Sequence, residues 1–132
     1  MKTTTVIIAD DRAYYRRIIR ELLTAKIAGY DLKFRQTNSA SDVAKEVAAA
    51  GPENVSLVIT DGFFASAETA IDVFDQVRGL ACPAKIILYS LDQDMVSREA
   101  ARRNHAPAEM FFDQIGKGKE EELLAAVRKA LA

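Results

Sequence analysis

Four short apolar runs punctuate the chain, and each stops at a polar residue. Val6-Ile7-Ile8-Ala9 stops at Asp10-Asp11, and Val55 to Thr60 stops at Asp61-Gly62. Ile86 to Tyr89 stops at Ser90, and Met110-Phe111-Phe112 stops at Asp113. Continuous apolar runs of this length read as strands buried on both faces. Leu32-Lys33-Phe34-Arg35 alternates instead, which predicts an edge strand with one face in water.

Helical periodicity fills the gaps. Tyr15, Ile18, Ile19, Leu22 and Leu23 follow the spacing of one buried helix face, with Arg16, Arg17 and Arg20 on the other. Ser39, with Asp42 three residues on, predicts a capping box for a second helix that buries Val43 and Val47 and stops at Gly51-Pro52. Ser66 is expected to cap a third helix carrying Ile71, Phe74 and Val77, ending near Gly79. A fourth runs from Gln93 to Asn104. A fifth begins near Lys119, with Glu120, Glu121 and Glu122 in its first turn and Arg128 and Lys129 in its last, both favourable to the helix dipole. Five alternations of strand and helix predict an α/β fold on a mainly parallel sheet, in one domain spanning residues 1–132.

Composition narrows the function classes. Eighteen Lys and Arg against nineteen Asp and Glu leave a net charge of −1, without the basic footprint that bulk binding to nucleic acid needs. No apolar run approaches the ~20 residues of a membrane helix, and no signal-peptide core follows Met1. A single cysteine, Cys82, can form neither an internal disulfide nor a thiolate metal site, and suits a reducing compartment. The expectation is a cytoplasmic protein.

In open α/β sheets ligands bind beyond the carboxyl ends of the strands. The residues that close the apolar runs, Asp10, Asp11, Asp61, Ser90, Asp113 and Gln114, therefore share one sheet edge. Singly, Asp10 and Asp11 read as helix caps and Asp61 as a turn residue; their common location gives them a joint role. Carboxylate pairs at ~4 Å repel by about 4 kcal/mol at an effective dielectric of 20. Either one keeps a proton or a cation neutralises them, and oxygen donors without His or Cys favour Mg²⁺.

Jointly, Val6-Ile7-Ile8-Ala9-Asp10-Asp11, Leu57-Val58-Ile59-Thr60-Asp61 and Ile86-Ile87-Leu88-Tyr89-Ser90 resemble the receiver domain of two-component response regulators. The resemblance implies a flavodoxin-like, doubly wound five-stranded parallel sheet of order 2-1-3-4-5 with five helices. It implies Mg²⁺ at Asp10, Asp11, Asp61 and the carbonyl of Phe63, and transfer of a phosphoryl group to Asp61 from a histidine kinase or histidine phosphotransfer protein. Ser90 would bond the phosphoryl oxygen, and Phe111 would fill the switch-aromatic place three residues before the family lysine. The run ending at Phe112 puts Gln114, a neutral donor, in the lysine's place; a shifted register would make Lys117 the lysine instead.

The resemblance also places a partner surface on the fourth helix, fifth strand and fifth helix. There Arg98, Arg102 and Arg103 form a basic ridge beside the acids at 120–122. The ridge is either self-neutralising or a docking face for a protein, including a second copy of the chain. With no output domain after the fifth helix, the chain is expected to be a stand-alone receiver or one cut from a longer protein. Two other functions compete with the receiver reading. One is a pseudo-receiver, a phosphorylation-independent interaction module with Gln114 in place of the lysine. The other is a Mg²⁺-dependent phosphohydrolase, disfavoured because Phe63 stands where a general acid would be needed.

Overall fold

The computed structural model describes residues 1–132, Ala108 by its backbone alone. Five parallel strands form one sheet in the order β2-β1-β3-β4-β5. They are β1 (Lys2–Ala9), β2 (Tyr30–Thr37), β3 (Val55–Thr60), β4 (Lys85–Ser90) and β5 (Asp113–Gly116). The helices are α1 (Ala13–Lys26), α2 (Val43–Ala50), α3 (Ala70–Gly79), α4 (Gln93–Arg102), the single turn α5 (Pro107–Met110) and α6 (Glu120–Leu131). Among the described residues, no helix is long and apolar enough to cross a membrane.

Strand alternation divides the core into two layers. Val6 and Ile8 of β1 pack with Ile19 and Leu23 of α1 and with Leu123, Leu124 and Val127 of α6. Ile7 and Ala9 point the other way, to Val43 and Val47 of α2, Ile71 and Val77 of α3, and Val96 and Ala100 of α4. Both faces of the central strands are thus dry, which explains their unbroken apolar runs. The alternating segment 32–35 lies in β2, at the sheet edge as expected.

The fifth strand is not where the apolar run predicts it. Met110 closes the turn α5, Phe111 is buried in the α2–α4 layer, and pairing with β4 covers only Asp113 to Gly116. Phe112 N–H donates to Ile86 O at 2.7 Å, so Phe111 and Phe112 lie at the start of β4, across the sheet from Ser90. As an edge strand of four residues, β5 buries one side chain, Ile115, and carries no apolar signature of its own.

Two helix starts also differ. Ser39 Oγ accepts from Asp42 N–H at 3.3 Å, but α2 begins only at Val43, and Asp42 makes no reciprocal cap. Thr69, not Ser66, caps α3: Thr69 Oγ1 accepts from Ile71 N–H, and Asp72 Oδ2 accepts from Thr69 N–H at 2.8 Å. An antiparallel bridge between Phe63 and Thr69 occupies the intervening loop, so the helix cannot begin before it closes.

Candidate functional site

The parallel register of β1 and β3 brings the first two acids together. Ala9 pairs with Thr60, and Asp61 N–H extends the ladder to Ala9 O at 2.8 Å while Asp10 N–H reaches Thr37 O at 3.1 Å. Asp10 and Asp61 are thus the first residues beyond the apolar ladder, yet both stay buried. Asp10 Oδ1 accepts from Arg12 N–H at 2.9 Å, which turns the chain into α1. Asp61 Oδ1 accepts from Gly62 N–H at 2.7 Å, and Asp11 Oδ2 from Ala65 N–H at 3.0 Å. Oxygens of Asp10, Asp11 and Asp61 lie within 4.8 Å of one another.

Lys117 supplies the positive charge. Its Nζ lies 2.8 Å from Asp10 Oδ2 and 3.2 Å from Asp61 Oδ2, with the side chain only 3% exposed. The β4–β5 register explains its reach: Ser90 pairs with Gly116, and Lys117 N–H then donates to Ser90 O at 3.1 Å. Gly118 follows with φ of 91°, a backbone that glycine adopts readily, and its N–H donates to the buried Tyr89 hydroxyl at 2.9 Å. The Nζ also stands 4.1 Å from the centroid of the Tyr15 ring.

Gln114 does not take the lysine's place. It lies within β5, paired with Leu88, and lines an adjoining groove of about 350 Å³ with Asp92 and Glu122. The register read from the apolar run was three residues early, because Met110 to Phe112 precede the strand rather than form it. The same shift leaves Phe111 beside the start of β4, away from Ser90, and puts Gln114 three residues before Lys117.

Ser90 is buried at the end of β4, and its Oγ accepts from Asp92 N–H at 3.3 Å. A Cβ on Gly62 would come within 2.5 Å of Ser90 Oγ and 2.7 Å of Val96 Cγ2, so glycine is what lets Ser90 approach the Asp61 loop. Asp11, Asp61, Phe63, Ser90, Leu91 and Lys117 line a cleft of about 200 Å³.

The charges oppose one another. Burial first, and then the Asp10 carboxylate, push the Asp61 pKa up, while Lys117 pulls it down without cancelling the rise. For Lys117, burial disfavours the ammonium, but contacts with Asp10 and Asp61 outweigh it and raise its pKa. Three carboxylates against one ammonium leave a negative, all-oxygen cluster, the donor chemistry that suits Mg²⁺.

The basic ridge divides. Arg98 and Arg102 are exposed, and Arg102 Nε donates to Glu99 Oε2 at 3.0 Å on its own helix. Arg103 shares that carboxylate, its Nε donating to Glu99 Oε1 at 3.0 Å, and also braces α4 against α3, with NH1 2.8 Å from Asp72 Oδ1. Its helix phase, one residue past Arg102, points it at the neighbouring helix. Tyr15 and Tyr89 also stand at the site, and the sequence pattern marks them only as positions of the buried face of α1 and of the β4 run.

No family model matches the chain, and no curated protein is significantly similar to it. Solved structures are similar in fold. A LuxR-family DNA-binding response regulator from Staphylococcus aureus is 21% identical, with a TM-score of 0.74 over 98% of this chain and 99% of that one. A response regulator receiver domain protein from Clostridium thermocellum is 16% identical, with a TM-score of 0.75 over 97% and 94%. The signal receiver domain of an HD domain-containing protein from Pseudomonas fluorescens is 20% identical, with a TM-score of 0.74 over 98% and 95%. The chain thus has the flavodoxin-like receiver fold.

Proposed function

We propose that the protein is a signalling receiver that accepts a phosphoryl group on Asp61. The observation that carries this reading is Lys117 Nζ held between Asp10 and Asp61 inside the three-carboxylate cluster at the strand ends. In the transfer, an Asp61 carboxylate oxygen attacks phosphorus. The bond from phosphorus to the imidazole nitrogen of a phosphohistidine, on a histidine kinase or phosphotransfer protein, breaks, and the nitrogen keeps the electron pair. Lys117 lowers the cost of keeping Asp61 ionised and then donates to a phosphoryl oxygen. Ser90, on the same cleft, donates its hydroxyl to another. Asp10, Asp11, Asp61 and the Phe63 carbonyl would hold Mg²⁺, which neutralises charge on the transferring group when bound.

The pseudo-receiver alternative loses its motive, since it rested on Gln114 standing where Lys117 now reaches. Gln114 instead bears on the output: at the switch position it offers an amide to a polar groove, where an aromatic ring would swing by burial. The partner face would be the exposed Arg98 and Arg102 of α4, with Arg103 excluded. If this face pairs two copies, Arg102→Glu abolishes dimerisation and raised salt weakens it, as sedimentation would read. The acceptor reading is tested by mass spectrometry after treatment with acetyl phosphate and Mg²⁺. A single phosphoryl adduct is expected on the native chain and none on Asp61→Asn. An adduct that persists in Asp61→Asn, or none on either, overturns the reading.

A further inference from the structure

Of the contacts that Lys117 Nζ makes, the transfer chemistry leaves the aromatic one unused. Lys117 Nζ has three N–H donors, two directed at carboxylates; its remaining near neighbour is the Tyr15 ring, 4.1 Å away at the centroid. Tyr15 is half-buried, and Tyr14 packs edge-on against it with centroids 5.3 Å apart and planes at 77°. The first turn of α1 thereby lays an aromatic face beside the ammonium, in the helix that Asp10 itself launches through its bond to Arg12 N–H.

We infer that Tyr15 is a positioning residue for Lys117: its ring holds the ammonium against Asp10 while the Asp61 contact is exchanged for a phosphoryl oxygen. Lys117 cannot keep its contact with Asp61 Oδ2 unchanged once that carboxylate carries a phosphoryl group. During the exchange the ammonium keeps Asp10 at 2.8 Å and the ring at 4.1 Å, and the ring's π face attracts a cation without competing as a base. An ammonium in a nearly dry site gains more from such a face than one in water. An aliphatic side chain of similar size would fill the space and offer the cation nothing. The Tyr15 hydroxyl has no part in this role, so the ring alone should suffice.

The inference rests on Asp61 accepting a phosphoryl group, and two readouts keep the two claims apart. The first is the rate of Asp61 modification by acetyl phosphate, in which the carboxylate attacks phosphorus and acetate leaves with the electron pair. Tyr15→Leu should slow it by roughly tenfold, the size of a desolvated cation–π contact, and Tyr15→Phe should leave it unchanged. The second is the ring-current shift of the Lys117 ε-methylene protons by NMR. It is expected upfield in the native chain and in Tyr15→Phe, and lost in Tyr15→Leu. Thermal melts of all three chains identify any variant slowed merely by unfolding. Equal rates across a modified series overturn the role of Tyr15 and leave the acceptor reading standing. An unmodified native chain overturns the acceptor reading and the transfer role together; the methylene shift then tests the contact alone, and its absence in the native chain overturns that too.

Discussion

Lys117→Met should be the most informative single change, because its cost depends on pH in a direction the site dictates. The variant keeps the stem and removes the cation between two buried carboxylates. Asp10 and Asp61 oxygens within 4.8 Å would then repel unscreened, by about 3 to 4 kcal/mol at an effective dielectric of 20. Breaking a buried ion pair on one side costs about 3–5 kcal/mol, so a loss of that size is expected near neutral pH. Asp61 already sits above the ordinary carboxylate value of 3.8, through burial and Asp10, and losing Lys117 lifts it further. A carboxyl whose folded pKa exceeds its unfolded one favours the native state once protonated; that stability is lost as pH rises through the folded value. The gap between native and variant chains should therefore be widest at about pH 7 and close substantially at about pH 4, where the Asp61 carboxyl can hold a proton. Urea unfolding of both chains at the two pH values, with EDTA present, measures it. Mg²⁺ at a hundredfold excess over its dissociation constant should return about 2.7 kcal/mol to the variant. A gap below about 1 kcal/mol that is the same at both pH values would refute the argument, since it matches an exposed pair.

Other substitutions probe the supports of the site. Gly62→Ala drives a methyl group into Ser90 Oγ and Val96 Cγ2, so a loss of about 1–3 kcal/mol is expected in thermal melts; Ser90→Gly in the same chain should recover part of it. Tyr89→Phe removes the acceptor for Gly118 N–H and should cost about 1 kcal/mol, with faster amide exchange at Gly118 as the local signature. Hydrogen bonds from Arg103 and Thr69 outweigh the burial of Asp72 and hold its carboxyl below the ordinary value, so this stability is present at neutral pH and lost as pH falls through the folded Asp72 value. Arg103→Ala should cost up to about 1 kcal/mol in a partly exposed setting and flatten that acid limb, while Arg102→Ala leaves the melt unchanged.

The architecture was legible because a strand buried on both faces leaves a signature in sequence. Val6 to Ala9, Leu57 to Ile59 and Ile86 to Tyr89 are unbroken because the layers of α1 and α6 on one side and α2 to α4 on the other leave those stretches no wet face. Each run ends at a polar residue that closes its strand, so the runs alone place Asp10, Asp61 and Ser90 at one edge, though not that all three are buried there. β2 was legible by alternation, as the strand whose side chains meet both core and water.

The fifth strand and its lysine lay beyond this reasoning. An edge strand buries little, so β5 reads Asp113-Gln114-Ile115-Gly116, while the apolar Met110 and Phe111 just ahead of it fill the core from a helical turn. The pattern therefore pointed three residues too early, to Gln114. What puts Lys117 on Asp61 is the pairing of Ser90 with Gly116, the left-handed turn at Gly118 and the Tyr89 hydroxyl that receives its N–H. The turn is local, but the pairing and the hydroxyl contact join segments distant in sequence. Local sequence determined which residues are apolar enough to build the sheet and which acids close its strands. Only the packed structure decided which cation meets those acids and which ring stands beside it, because register between neighbouring strands is an energy of pairs, and no single segment carries it.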